Sequence, residues 1–360
     1  MIPAFLHERP LRVYWEVTRA CDLACRHCRA TAVRAADPCE LSTGEGARLL
    51  AQLAAGGHPL PHVVLTGGDP LKRADLFELI AAGRGLGLGM SVAPSATPLL
   101  TSAALRSLHA AGVEAISLSL DGSSPPRHDR LRGIDGTFER TRAAAATARE
   151  IGLPFQVNTL VCRDTGDDLP RIYDEVAALG AARWSLFFLV SVGRGQALQP
   201  VTPRRAEAIL WWAAALPAGP GHPVVTTTEA PQFRRIALQR QREGRTAPDS
   251  MATRGGHSHA AGIRDGNGIL FISHVGDVCP SGFMEVPAGN VREEDVLEIY
   301  RTAPLFRLLR DVDAFAGRCG ACEYRAACGG SRARAYATTG DPLSEDPLCV
   351  YRPSALKRPA

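Results

Sequence analysis

From Leu11 to Val190, short β-prone runs alternate with helix-forming stretches, and glycine closes most of the helices. The strand-like segments are Leu11 to Val17, His62 to Leu65, Leu88 to Ala93, Glu114 to Leu120, Phe155 to Val161 and Arg183 to Val190. Between them, Ala47 to Ala55, Lys72 to Ala82, Thr101 to Ala111, Thr137 to Ile151 and Leu169 to Leu179 read as helices. Ahead of the first helix, Ser42 with Glu45 three residues on is a capping-box signature. Six such β-then-α repeats predict parallel strands in a right-handed wind, as in a barrel or an open α/β sheet. Functional groups then belong at the C-terminal ends of the strands.

Past Val190 the rhythm stops. Glu207 to Leu216, with the pair Trp211-Trp212, is amphipathic and expected to pack on the barrel as a helix. Gln239 to Gly268 is rich in Gly, Arg, Ser and His without apolar periodicity, so it reads as a lid or a partly disordered stretch, and its His257 and His259 are not taken as metal ligands. Gly83 to Gly89 follows a helix and precedes a strand, the reverse of the order that places a phosphate on a helix N-terminus, and is read as a loop. A small unit begins at Ile269, with a hairpin of Ile269 to Ile272 and Val275 to Val278, followed by one or two helices over Val291 to Arg310. The expected organisation is a lead-in over 1–10, a barrel over 11–215, a linker or lid over 216–268 and a cysteine-rich α+β unit over 269–360.

A chain of 360 residues suits one large α/β unit with a smaller appendage. Its net charge of +4 comes from basic residues scattered among acidic ones, so nothing in it demands nucleic acid. The longest nearly uncharged apolar run, Trp184 to Val192, is half of what a bilayer span needs, and the N-terminus lacks a secretory pattern, so the expected location is the cytoplasm, away from membrane. Ten cysteines in such a chain read as metal or redox ligands, not as a disulfide framework. Cys39, Cys162 and Cys279 stand alone and are read as ordinary small side chains.

The other seven fall into two groups. Cys21, Cys25 and Cys28 lie just past the first strand, and three thiolates on one short loop can hold three corners of an iron-sulfur cube while leaving the fourth iron without a protein ligand. A zinc knuckle or a set of buried free thiols is the alternative reading. The second strand ends in Thr66-Gly67-Gly68-Asp69-Pro70. The two motifs in this order, each ending a strand-like run, resemble the radical S-adenosylmethionine (radical SAM) superfamily.

The resemblance implies a partial (β/α)6 barrel and a [4Fe-4S] cluster on Cys21, Cys25 and Cys28, with SAM on the open iron. It implies that Gly67, Gly68 and Asp69 face the SAM amine, Asp69 standing in for the more usual Glu. Ser119 and Asp121, ending the fourth strand, are placed for the ribose or carboxylate, and Arg132 resembles a position that pairs the SAM carboxylate. Asn158 on the fifth strand and, more weakly, Ser95 past the third are further candidates. His27 stands where the family often carries an aromatic.

Cys319, Cys322, Cys328 and Cys349 make a four-thiolate set, the number that closes a [4Fe-4S] cube. With Gly329-Gly330 after the third cysteine, they resemble the auxiliary-cluster extension of radical SAM enzymes known as the SPASM or twitch domain; a zinc ribbon is the alternative. The full pattern wants a further cysteine where Arg332 stands and ligands near the hairpin, where only Cys279 is available before Ser281. One auxiliary cluster is therefore expected, and two clusters in all.

The layout is similar to that of radical SAM enzymes of heme b and heme d1 synthesis, which modify tetrapyrrole side chains, and next to maturases of ribosomally made peptides. The resemblance implies reductive cleavage of SAM to a 5′-deoxyadenosyl radical that takes a hydrogen atom from a small-molecule or peptide substrate. An electron donor such as flavodoxin or ferredoxin goes with it. A non-catalytic SAM-binding redox sensor is the remaining alternative.

Overall fold

The computed structural model describes residues 4–244 and 262–356; His257 and His259 lie outside the described residues. Strand and helix alternate as β1 (Arg12–Thr18), α1 (Thr43–Ala55), β2 (His62–Gly67), α2 (Leu76–Gly85), β3 (Gly89–Val92), α3 (Ser102–Ala110) and β4 (Ala115–Ser119). They continue as α4 (Pro125–Arg132), α5 (Thr137–Glu150), β5 (Phe155–Val161), α6 (Leu169–Leu179), β6 (Arg183–Phe188), α7 (Pro203–Ala213), β7 (Val224–Thr228) and α8 (Gln232–Arg242). The C-terminal part adds β8 (Arg264–Asp265), β9 (Gly268–Ile272), β10 (Asp277–Cys279), β11 (Gly289–Asn290), α9 (Val296–Thr302), α10 (Pro304–Arg310), α11 (Gly317–Gly320) and α12 (Arg332–Thr339).

Strands β1 to β7 pair in sequence order, all parallel, and among the described residues the sheet does not close on itself. Alternation along each strand sorts its side chains. Val13, Trp15, Val63, Leu65, Val92, Ile116 and Leu186 face the helices with no exposed surface, each such burial contributing about 1.5–3 kcal/mol. Thr66, Ser117, Ser119 and Asn158 alternate with them and line the opposite, inner face. That inner face mixes these polar side chains with apolar ones such as Leu160 and Phe187.

Several elements begin as the sequence dictates. Ser42 and Glu45 form the reciprocal cap that starts α1, and Thr101 accepts from Ala104 N to start α3. Trp212 meets the buried Trp184 edge-on at 6.0 Å, so the tryptophan pair packs on the barrel. Helix α2 starts four residues later than expected. Pro70–Lys72 instead make a single tight turn, and the Arg73 guanidinium runs back to Val17 O (2.7 Å) and Leu41 O (2.6 Å), tying this turn to the end of β1.

Two departures concern the organisation. The linker expected over 216–268 holds a seventh parallel strand, β7, and helix α8; the β-branched Val224 to Thr228 suits a strand, but so short a run without alternation gave no signal. The unit expected to start at Ile269 is not separate at the level of the sheet, because β9 pairs with β1 in parallel, Arg12 opposite Ile269, and β10 and β11 extend the same sheet antiparallel. A buried contact reinforces this join. His274, in the hairpin after β9, lies 3.1 Å from Glu16 on β1, and Arg29 meets the other carboxylate oxygen at 3.0 Å. Burial alone would push Glu16 up; His274 and Arg29 hold it at about 2.

Candidate active site

The loop after β1 carries Cys21, Cys25 and Cys28 to the C-terminal end of the sheet, as the end-of-strand rule requires. It is held on three sides. Cys21 N donates to Val33 O (2.7 Å), Arg26 N to Leu131 O at the end of α4 (2.9 Å), and Arg194 N to Cys28 O (2.9 Å). All three thiols line one cavity of about 230 Å³. Each sulfur accepts a hydrogen bond: Cys21 from Leu23 N (3.4 Å), Cys28 from Ala32 N (3.5 Å) and Cys25 from the Arg132 guanidinium (3.8 Å). Burial raises the Cys21 and Cys25 thiols, so as bare groups they stay protonated. Inward-facing sulfurs that already accept N–H donors suit a cluster, whose potential such bonds help to set. Among the described residues no three His, Cys, Asp or Glu side chains converge closely enough for a single metal ion.

Gly67 and Gly68 line the same cavity. Gly67 has φ +145°, and a Cβ there would sit 2.1 Å from Thr18 O; one on Gly68 would sit 2.3 Å from Ala20 O. Only glycine lets the end of β2 lie this close to the start of the cysteine loop. Asp69 follows these glycines in the turn. Its carboxylate is fully buried and turned away from the cavity, accepting from Thr97 Oγ1 (2.7 Å), Leu71 N (3.2 Å) and Ser95 N (3.3 Å). These three bonds tie together the turns after β2 and β3.

Ser119, Asp121, Arg132 and Asn158 all line the cavity, and so does Ser95, whose hydroxyl donates to Gly68 O (2.8 Å). Asn158 points inward from β5 and accepts from Gln156 Nε2 (2.6 Å). Asp121 and Arg132 form a buried ion pair. Burial pulls the Asp121 carboxyl up, but Arg132, the two neighbouring histidines and a bond from Leu160 N together hold it below its ordinary value. Arg132 is placed by the turn that follows α4, where the Asp129 carboxylate accepts from Gly136 N (2.7 Å) and Phe138 N (2.8 Å). His27 and His128 stand on the same wall, each pushed down to about 4 by burial and by Arg132, so both are neutral at pH 7.

The second group, Cys319, Cys322, Cys328 and Cys349, encloses a pocket of only about 20 Å³. Here too the sulfurs accept N–H donors: Cys319 from Asp346 N (3.4 Å) and Arg332 (3.5 Å), Cys322 from Tyr324 N (3.4 Å), Cys328 from Gly330 and Cys349 from Tyr351. Arg332, where a cysteine would stand in the full pattern, is buried. It spans Pro342 O (2.9 Å), Ser344 O (2.8 Å) and the Phe315 ring (4.6 Å). Cys279 is buried with Asp277 and Glu285 nearby, and its thiol is pushed up to about 12, as befits a core side chain. Cys162 packs among Leu131, Leu160, Leu189 and Leu198, and Cys39 is exposed.

Sequence reasoning missed Arg194, whose only signal was its place between Gly193 and Gly195 just past the sixth strand. It also missed a buried carboxyl pair, Glu229 and Asp265, next to Ser281 and Ser331. Glu229 has φ +57° in the β7 to α8 turn. Burial, reinforced by the charge of Asp265, lifts its carboxyl to about 8.

A parallel α/β sheet whose first strand delivers three inward-facing thiols beside a Gly-Gly turn defines a class, and the chain belongs to the radical SAM superfamily. The family model described as the radical SAM superfamily matches residues 15–176. The AdoMet-dependent heme synthase of Methanosarcina barkeri is 39% identical over 344 residues, covering 96% of this chain and 97% of that protein. The PqqA peptide cyclase of Ruegeria pomeroyi is 31% identical, covering 99% and 91%. In fold the chain is similar to Streptococcus suis SuiB bound to S-adenosylmethionine, with TM-score 0.69 at 18% identity over 97% of this chain and 78% of that one. This is therefore a radical SAM enzyme, dependent on SAM and a [4Fe-4S] cluster. Among the described residues no helix is long and apolar enough to cross a membrane.

Proposed function

We propose that this enzyme acts on a tetrapyrrole with carboxylate side chains, as a heme synthase does, and works in the cytoplasm with flavodoxin or ferredoxin as electron donor. The observation that carries this reading is the 39% identity to a heme synthase over nearly the whole of both chains. A peptide substrate is the second reading, favoured by the likeness to PqqA peptide cyclase.

In this reading Cys21, Cys25 and Cys28 hold the SAM-binding cluster, and Cys319, Cys322, Cys328 and Cys349 hold one auxiliary cluster. When bound, the first with SAM supplies a 5′-deoxyadenosyl radical and the second supplies one-electron traffic. The backbone of Gly67 and Gly68 receives the SAM amine, Arg132 its carboxylate, and Ser119 and Asn158 its ribose. Asp121 keeps Arg132 oriented. Leu160, Phe187 and Leu189 keep the cavity dry on the substrate side. Functionally the chain divides into a barrel over 11–215 and an auxiliary unit over 269–360, with β7 and α8 bridging them.

The test is anaerobic turnover of the reduced, reconstituted protein with SAM and an iron porphyrin bearing propionates. Faster 5′-deoxyadenosine formation with matching release of CO2 is the expected result. Acceleration by a short peptide and none by any porphyrin would move the assignment to the second reading.

A further inference from the structure

Three guanidinium groups line the cavity at the mouth of the barrel, and they differ in their partners. Arg29 lies 3.0 Å from Glu16 and 3.2 Å from Glu285 and stacks on Phe271. Arg132 is paired with Asp121. The Arg194 side chain has no acidic or hydrogen-bonding partner among the described residues, and its Nε is buried and unsatisfied.

Arg194 is also held in place. It sits on the tight turn Gly193–Ala197 after β6. Gly193 has φ +51°, and a Cβ there would lie 2.3 Å from Arg29 O, so the turn is pressed onto the cysteine loop. The bond from Arg194 N to Cys28 O fixes it there. A guanidinium whose backbone is fixed on a cavity wall, with its buried Nε–H unmet, is costly unless a ligand meets it. A carboxylate matches its planar fork, and the neighbouring Phe187, Leu189 and Phe283 suit an apolar body carrying that carboxylate.

We infer that Arg194 anchors a carboxylate of the substrate at the barrel mouth, beside the SAM site. The inference rests on the tetrapyrrole reading and deepens it: the substrate enters with one acidic side chain directed at Arg194. The residue is a specificity determinant, distinct from Arg132, which belongs to SAM.

The test compares binding of an iron porphyrin bearing propionates, and of its methyl ester, to the reconstituted holoenzyme and to Arg194→Ala and Arg194→Lys, followed by porphyrin absorbance. Losing one charged hydrogen-bonding group should weaken binding of the acid about 10- to 100-fold in Arg194→Ala, with partial recovery in Arg194→Lys. The ester should bind wild type weakly and be indifferent to the substitution. SAM affinity and the SAM-dependent change in the cluster's EPR signal should hold, which also reports that the variants fold. If wild type and Arg194→Ala bind the acid equally, the anchor is wrong while the tetrapyrrole reading stands. If SAM affinity or the EPR signal changes and porphyrin binding does not, Arg194 serves SAM or the cluster, and the anchor is again wrong. If wild type binds neither porphyrin, both fall together.

Discussion

In the proposed assignment the two cysteine groups use one chemistry for opposite ends. At the barrel mouth three thiols face about 230 Å³ of space beside hydrogen-bonding side chains, whereas near the C-terminus four thiols close on about 20 Å³. The N–H donors to sulfur are common to both, so they do not separate the roles. What separates them is the ligand count and the room left over: three sulfurs with space admit a small molecule to the metal, and four without space do not. Arg332 sharpens the contrast, since it fills with a buried cation the position where further ligands would extend the second site.

The largest effect expected is at this contrast. Wild type should carry about eight irons per chain, and both Cys25→Ala and Cys322→Ala should lower this to about four. Only Cys25→Ala should bring SAM cleavage to background; Cys322→Ala should still form 5′-deoxyadenosine while product formation stops. Iron analysis with chromatography of the nucleoside checks both, and equal loss of SAM cleavage would erase the proposed division of labour. Next in size, Arg332→Ala should destabilise the C-terminal unit by about 3 kcal/mol, because a buried side chain with several hydrogen bonds leaves a void and unmet carbonyls. Denaturant unfolding of the iron-free protein measures it, and a cost as small as that of an exposed arginine would remove Arg332 from the argument.

The smallest effect separates the regions by pH. Glu229 and Asp265 titrate as a pair whose carboxyls are raised by burial and by each other's charge, so in the native state the pair keeps a proton at pH values where the unfolded carboxylates have lost theirs. Its contribution to stability is therefore complete below the ordinary carboxylate range and is lost as pH rises through about 8. Thermal unfolding should show Tm falling across that window, and Glu229→Gln should flatten the fall by about 2–4 °C. An unchanged slope in the variant would assign the pH dependence elsewhere.

Much of this was legible in the chain before folding. The parallel sheet followed from its alternation, and Cys21, Cys25, Cys28, Ser119, Asp121, Arg132 and Asn158 do line one cavity, because end-of-strand position and spacing are local properties. What escaped was set by distance. The partners of Asp69, Thr97 and Ser95, stand more than twenty residues on, where no local pattern announces them. β7 was hidden because a short edge strand in a Gly-Pro-rich setting lacks alternation. Glu229 and Asp265 meet only through packing between segments that no periodicity links.

The pairing of β9 with β1 has a consequence for how the molecule comes into being. The strand leading to Cys21 is made long before Gly268–Ile272, so one of its edges stays open until that segment has emerged, and an open edge is an invitation to mispairing. A chain cut short before residue 268 would thus expose the root of the cysteine loop itself. The C-terminal part also reaches the cavity through Phe283, and a version of this enzyme trimmed to its barrel is expected to lose both that contact and the edge partner of β1.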